Sequence, residues 1–466
     1  MIRKWSNIVE KNIWIIFFIF LFSRVLAYVF NVDFDYSPIY KYWQYLDINT
    51  LRNNLIDGVW YNHAQPPFFN LLLGIILKLF GNHAIFVFSF LLKIISLSNA
   101  ILLYNLLKKI EINRNIALII SVFYLISPAS IILETELYYT TLISFLLLVG
   151  FTNLLKLNNE IRWSNLIGFF LPILLICLTR SMYHLIWLTG VSIIVILFNK
   201  KRKEVKKLYI IASLSLIILG GWYLKNYMIF GTFSTSSWMG MNLSRNVFHD
   251  NESTDSSRIE AYKPFSSIST YQSFIEKEDE YKYRGLNNRD LLSEFKNDSF
   301  INLNHIAYIE ISKKYLIASK NHIFKHPTSY TKNVIQSGFL YFAPATTYSL
   351  IRNQVQKIRI YDAIFSFNLT YLAKTKSERR ITLLISAIPR IILYLYIFFI
   401  LFRDWIQKRQ IRLFNTLIVF TISYIFILGS LLEHYENMRF RFEIEPLFLL
   451  MLGQVIQKKY NSKNPS

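Results

Sequence analysis

Ten apolar runs organise this 466-residue chain, at 13–30, 84–107, 115–133, 138–156, 164–179, 183–198, 207–224, 381–402, 411–432 and 442–457. A helix needs about 20 apolar residues to cross a bilayer, within a range of about 17 to 25. Most of the runs meet that length, and 164–179, 183–198 and 442–457 sit at its lower edge. Hydrocarbon offers backbone amides no partner, so runs of this kind satisfy their own hydrogen bonds as helices. Composition agrees: 53% of residues are hydrophobic and only 17% charged, against about 25% charged in an average soluble domain. The expected fold is an all-α polytopic membrane protein of about ten (10–12) spans, with juxtamembrane helices and a large extracytoplasmic loop.

Ten crossings leave both termini on one side. With the N-terminus in the cytoplasm, the cytoplasmic pieces are 1–12, 108–114, 156–163, 199–207, 403–412 and 458–466. They hold 21 Lys/Arg against 5 Asp/Glu, so +16 of the net +22 lies there. The densest piece carries Lys200, Lys201, Arg202, Lys203, Lys206 and Lys207. This is the positive-inside pattern of a membrane protein. It absorbs the charge that would otherwise suggest nucleic acid, and leaves no basic stripe for such a partner. The first run follows Arg3, Lys4 and Lys11 like a secretory signal. Bulky Tyr28, Val29 and Phe30 replace a small-residue cleavage site, so it reads as an uncleaved anchor. The Ile, Lys and Asn bias points to an AT-rich bacterial genome and hence to the bacterial plasma membrane. A single cysteine, Cys177, excludes an internal disulfide framework and a Cys-rich zinc site.

Two segments are too polar to span. The first, 31–66, leads into a short apolar stretch, 67–80, ending at Gly81. Counting that stretch as a span would invert every later loop, so it is expected as a juxtamembrane or re-entrant helix starting at Pro66-Pro67. The second is 225–380, with exposed loop expected at 250–260 and 276–298 and amphipathic helices at 301–323 and 328–343. A further hairpin through 334–372 would preserve the topology. The chain therefore divides into an N-terminal module of about seven spans (1–224), whose first outer loop is 31–81, an extracytoplasmic, partly helical region (225–380), and a C-terminal module of about three spans (381–466).

This topology gathers polar residues from five segments at the outer face: Asp33, Asp35, His63 and Gln65; Glu134 and Glu136; Arg180 and His184; Lys225 and Asn226; and Glu433, His434, Glu436, Arg439 and Arg441. Span ends are often polar simply because they meet water, but 433–441 is too charged for a minimal turn. Carboxylates two apart in an extended chain point the same way. The Asp33/Asp35 pair can hold a hard cation or keep one carboxylate as a base. The guanidiniums of Arg439 and Arg441 match phosphate oxygens, and equally match Glu433, Glu436, Glu443 or Glu445. Arg24 lies near the outer end of the first run, where it snorkels or approaches Asp35. His63 has no second His or Cys at ligand spacing, so zinc is not supported. Without a phosphate-binding glycine loop or an HExxH helix, neither an ATP-driven pump nor a zinc protease is supported.

In this order the residues resemble the GT-C superfamily of integral-membrane glycosyltransferases. The nearest likeness is to bacterial relatives of the protein O-mannosyltransferases and to the lipid A aminoarabinose transferase. The resemblance is carried by Asp33 and Asp35 after the first span, Gln65-Pro66-Pro67-Phe68 about 30 residues later, and Leu79-Phe80-Gly81. It continues through Gly221-Trp222-Tyr223-Leu224-Lys225-Asn226-Tyr227, Phe230-Gly231, Ser236 and Gly240-Met241-Asn242-Leu243. His326-Pro327 and Arg439-x-Arg441 before Glu445-Pro446 complete it. The resemblance implies a GT-C-like bundle and an inverting transfer of sugar from a polyprenyl-phosphate donor to an envelope lipid, glycan or protein. It implies a catalytic carboxylate at Asp35 or Asp33. Many relatives read Asp-Glu where this chain reads Asp-Phe-Asp. No cofactor is expected; a divalent cation, if one is used, falls to Asp33 and Asp35. Negative charge growing on the departing lipid phosphate is stabilised by fixed cations, for which Arg439, Arg441, Arg180 and Lys225 are the candidates. His63, Gln65, Glu134 and His434 are expected to line the cavity or meet the acceptor, and the 67–80 surface to meet the donor lipid.

Two other readings share the composition. A polysaccharide polymerase or ligase uses the same lipid-linked substrates. A lipid-oligosaccharide flippase or transporter would show inverted repeats and mid-membrane ionisable residues, and no repeat is visible here.

Overall fold

A computed structural model describes residues 10–248, 263–271, 289–296, 299–408 and 412–463. The described chain is an all-α multi-pass membrane protein, its one small sheet a hairpin pairing Phe295–Lys296 with Phe300–Ile301. Among the described residues six helical stretches are long and apolar enough to cross a membrane: Lys11–Val29, Pro67–Lys109, Thr140–Asn159, Val205–Phe230, Lys376–Arg403 and Leu413–Leu432. A seventh is the pair Arg114–Ile126 and Pro128–Glu134, bent by 53°. The bend follows from Ser127, which precedes a proline and is driven out of the helical region (φ −57°, ψ 138°). Its hydroxyl then caps the second piece by accepting from Ser130 N at 3.2 Å. Trp163–Cys177 and Leu185–Asn199 are apolar but only 15 residues each.

The first helix shows how the bundle is built. Ile16, Phe20, Ser23 and Ala27 recur at helical spacing and are buried, while Trp14, Phe18, Phe22 and Val25 are exposed as lipid-facing residues. Lys11 at its start is exposed, whereas Arg24, its second charge, is held inside the bundle. The guanidinium donates to both Glu134 carboxylate oxygens at 2.7 Å and to the Leu125 carbonyl at 2.9 Å. Expected as a cavity residue, Glu134 is instead fully buried in this pair, and Arg24 does not go to Asp35.

The 67–80 stretch forms a helix, Pro67–Phe80, closed by Gly81 at φ +51°. A short turn, Gly81–His83, separates it from Ala84–Lys109. In the 225–380 region the expected amphipathic helices are Ala307–Lys325 and Pro327–Phe342, with Ile306, Ile309 and Tyr315 buried. No hairpin of spans follows through 334–372. Short turns and the brief helices Arg352–Lys357 and Arg359–Phe365 lead into Lys376–Lys408 instead. The stretch 250–260 lies outside the described residues, as does 276–298 apart from 289–296, a helical turn and the first strand.

One further helix, Met239–Phe248, lies across Ala307–Lys325 with backbone against backbone. A Cβ on Gly240 would sit 1.8 Å from the Ser312 carbonyl oxygen. Gly240 N donates instead to Ser312 Oγ at 3.1 Å.

Candidate functional site

At the end of the bundle that carries the 31–66 and 225–380 segments lies a cavity of about 160 Å³. Seven chain segments wall it: Trp43 and Gln44, Gln65, Tyr139, Arg180 to His184, Tyr223, the 234–245 segment, and Leu428 to Phe440, with Phe265 closing one side. Trp43, Trp238, Phe265, Tyr139, Tyr223 and Phe440 make aromatic faces; Gln44, Gln65 and Asn242 supply amides. Two guanidiniums, Arg180 and Arg245, and two carboxylates, Glu433 and Glu436, carry the charge of the lining, and His184 adds an imidazole.

The charges are not equally committed. Arg180 forms an ion pair with Glu443, lies 3.5 Å from Glu436 and stacks 4.0 Å above the Phe440 ring. Arg245 has a looser hold. Its nearest carboxylate is Glu433 at 3.5 Å, and it sits over the Tyr435 ring at 4.7 Å. Burial pushes the Glu433 carboxyl above its ordinary range despite Arg245. Burial also acts on Glu436, but the guanidiniums of Arg439, Arg180 and Arg245 outweigh it and hold that carboxyl low.

Arg439, a candidate phosphate ligand, stands behind the cavity wall. It is fully buried, paired with Glu436, and donates to Tyr42 Oη at 3.1 Å. Arg441 is paired with Glu445. Lys225 turns toward backbone, donating to the Trp60 carbonyl at 2.7 Å, with the Trp222 ring at 3.9 Å. Of the four cations expected at a donor phosphate, the cavity wall therefore includes Arg180 alone. His63 is buried between Ser237 Oγ at 2.8 Å and the Asn304 carbonyl at 3.0 Å, and burial lowers its pKa to about 3. It braces the 234–238 turn from behind. His434 bonds Ser337 Oγ at 2.9 Å and likewise lies off the cavity. Gln65 lines it as expected.

Asp33 and Asp35 are not in the cavity wall. Asp33 is exposed, its carbonyl held by Gln354 Nε2 at 2.9 Å. Asp35 is half-buried and forms a parallel bridge with Glu136; Asp35 N donates to the Thr135 carbonyl at 2.7 Å. One Asp35 oxygen accepts from Ser37 N at 2.8 Å, and the other lies 3.8 Å from Lys41 Nζ. Glu136 is buried with Oε2 unpartnered, and burial reinforced by the Asp35 charge pushes its pKa up to about 8. The adjacent carboxyls are thus Asp35 and Glu136, brought from different loops. Tyr138, two residues after Glu136, packs its ring 4.9 Å from Tyr42, whose hydroxyl meets Arg439; neither ring lines the cavity. Among the described residues no three His, Cys, Asp or Glu side chains converge as a metal site.

Sequence reasoning missed Arg245, Trp43 and Tyr139 as wall residues. The available signal was Arg245, the one cation of the Met239–Phe248 helix, on a segment otherwise patterned for packing. Compared with known proteins, the chain matches no family model, no curated protein and no solved structure.

Proposed function

We propose that this protein is a membrane glycosyltransferase that moves a sugar from a polyprenyl-phosphate donor to a lipid, glycan or protein acceptor at the extracytoplasmic face. The observation that carries the reading is the cavity: aromatic faces, amide donors, two guanidiniums and two carboxylates at the edge of a lipid-facing bundle. Aromatic faces suit sugar rings, and a guanidinium suits the phosphate that leaves. Exposed Tyr227, Met228, Phe233 and Met239 beside the wall suit a donor that stays in the bilayer. The topology adopted has ten spans. It counts Trp163–Cys177, Leu185–Asn199 and Glu445–Lys463 as crossings, with both termini in the cytoplasm of a bacterial plasma membrane.

In this mechanism the acceptor hydroxyl attacks the anomeric carbon from the face opposite the phosphate. The new C–O bond forms as the bond to phosphate oxygen breaks, so configuration inverts. A carboxylate takes the hydroxyl proton, and the polyprenyl phosphate departs with the electron pair. Arg245, the less committed guanidinium, meets that phosphate, with Arg180 behind it. Glu436 is neutralised by Arg439 and Arg180, so the base is assigned to Asp35 beside Glu136; because Asp35 lies outside the cavity wall, this assignment requires the acceptor to approach the cavity from the Asp35–Glu136 side. With its pKa near 8, Glu136 keeps its proton at neutral pH.

The test is transfer from a radiolabelled polyprenyl-phosphate sugar by purified variants. Asp35→Asn is expected to lose about 10²–10⁴ in rate, with protein yield retained. Full activity in both Asp33→Asn and Asp35→Asn refutes the base assignment. Activity lost in Glu436→Gln but kept in Asp35→Asn moves the base into the cavity. Chelation is expected to leave the rate unchanged.

A further inference from the structure

A second cavity, of about 220 Å³, lies apart from the first, where the 345–375 segment meets the start of the Lys376–Lys408 helix. Its wall carries Arg352, Lys374, Lys376 and Arg379 with the polar side chains Asn368 and Thr370, and no carboxylate. None of the four cations has a carboxylate oxygen within ion-pairing distance among the described residues. Arg352 and Arg379 repel each other across it. Two acids stand close by. Asp362 is buried behind the floor, accepting from Thr346, Ser366, Asn368 and Tyr371 at 2.7–2.9 Å. Glu378 accepts from Lys374 N. Four cations against these two acids leave a positive surplus over a floor that Asp362 holds rigid. Around the cavity Ile360, Ile364, Leu372 and Ile381 are exposed at 55–78%, a fringe of apolar side chains beside the cationic wall.

We propose that this second cavity holds the phosphate of an anionic phospholipid headgroup. The cations meet the phosphate oxygens and the apolar fringe lies along the acyl chains, while Asn368, donating to Asp362, and Thr370, donating to Asn368 Oδ1, brace the wall. Guanidiniums held together against mutual repulsion are stabilised by a shared anion. A free phosphate would use the same wall but not the fringe. The site also has a mechanical connection. The segment that lines it sends Gln354 to the Asp33 carbonyl and Lys357 to the Asn31 carbonyl, and places Tyr348 5.0 Å from the Arg439 guanidinium. A headgroup seated here pins the segment that buttresses the loop bearing Asp33 and Asp35. The site needs no assumption about sugar transfer.

The experiment uses the full chain in nanodiscs of phosphatidylcholine, with or without phosphatidylglycerol. Native mass spectrometry counts lipids retained after a detergent wash, and thermal unfolding is followed in parallel. Retained phosphatidylglycerol and a raised Tm are expected, with Arg352→Gln/Arg379→Gln lowering affinity about thirtyfold, at roughly a factor of five per juxtamembrane cation. Arg352→Lys/Arg379→Lys restores most of it. If the double Gln variant does not fold, exposed Lys374→Gln/Lys376→Gln provides the same comparison. Equal retention of the two lipids, or phosphatidylglycerol retention unchanged in the Gln variants, overturns the proposal. A Tm rise with inorganic phosphate equal to that with phosphatidylglycerol vesicles also overturns it, by showing that the free anion is the ligand.

Discussion

Two buried ion pairs, Arg24–Glu134 and Arg245–Glu433, use the same chemistry to different ends. In the first, both carboxylate oxygens receive a guanidinium N–H at 2.7 Å and a backbone carbonyl takes another. In the second, one contact is 3.5 Å long and the guanidinium faces a cavity. Charge inside a membrane protein is costly unless it is matched. A matched pair fixes how helices sit together, while an incompletely matched one retains affinity for an anion that arrives later. The contrast separates architecture from candidate chemistry without reference to any relative.

That contrast can be broken most forcefully at its closed end. Glu134→Gln leaves Arg24 buried without its charge partner and should cost about 3–5 kcal/mol, measured as a large fall in Tm of the detergent-solubilised protein. Survival at wild-type Tm would show that the pair is dispensable. Arg245→Gln should leave Tm within a few degrees yet lower transfer by about a hundredfold, as removal of one fixed charge-stabilising donor does. Equal losses of stability and activity would erase the distinction.

A third measurement sharpens it through pH. Glu136 has its folded pKa raised from 4.5 to about 8 by burial and by Asp35. Its protonated form is the one that suits the fold. The stability it contributes is complete below pH 4.5 and is lost as pH rises toward 8, at about 1.4 kcal/mol per pH unit. Glu136→Gln should flatten that slope in unfolding measured between pH 5 and 8, and an unchanged slope would place the titration elsewhere. The smallest effect is expected where water screens the charges. Lys313–Glu310, at 2.6 Å on the surface of Ala307–Lys325, should lose less than about 0.5 kcal/mol in Lys313→Ala.

Much of the architecture was legible in the sequence because it rests on local rules. Pro66-Pro67 and Gly81 bracket Pro67–Phe80 by fixing backbone dihedrals. Partner choice was not legible. Arg24 had several acids within reach of an outer membrane surface, and its selection of Glu134 depends on the 53° bend at Ser127-Pro128, which carries that carboxylate to the first helix. Asp33-Phe34-Asp35 suggested an acidic pair from two-residue spacing. The actual pairing runs across loops, because Asp35 and Glu136 meet through backbone bridging that no single segment encodes. Arg439 and Arg441 illustrate the converse. Both readings of that turn were open, and the four glutamates around it favour the ion pairs, so the guanidinium best placed for an anion is Arg245, on a helix far earlier in the chain.

The backbone contact at Gly240 has an evolutionary consequence. The residue touches no candidate ligand, yet it sets how low the Arg245-bearing helix rests on its neighbour. Adding one methyl group would lift that helix by more than an ångström to restore ordinary contact and would raise the ceiling of the chamber. The volume of the cavity is therefore adjustable here through a spacer, leaving the residues that line it untouched.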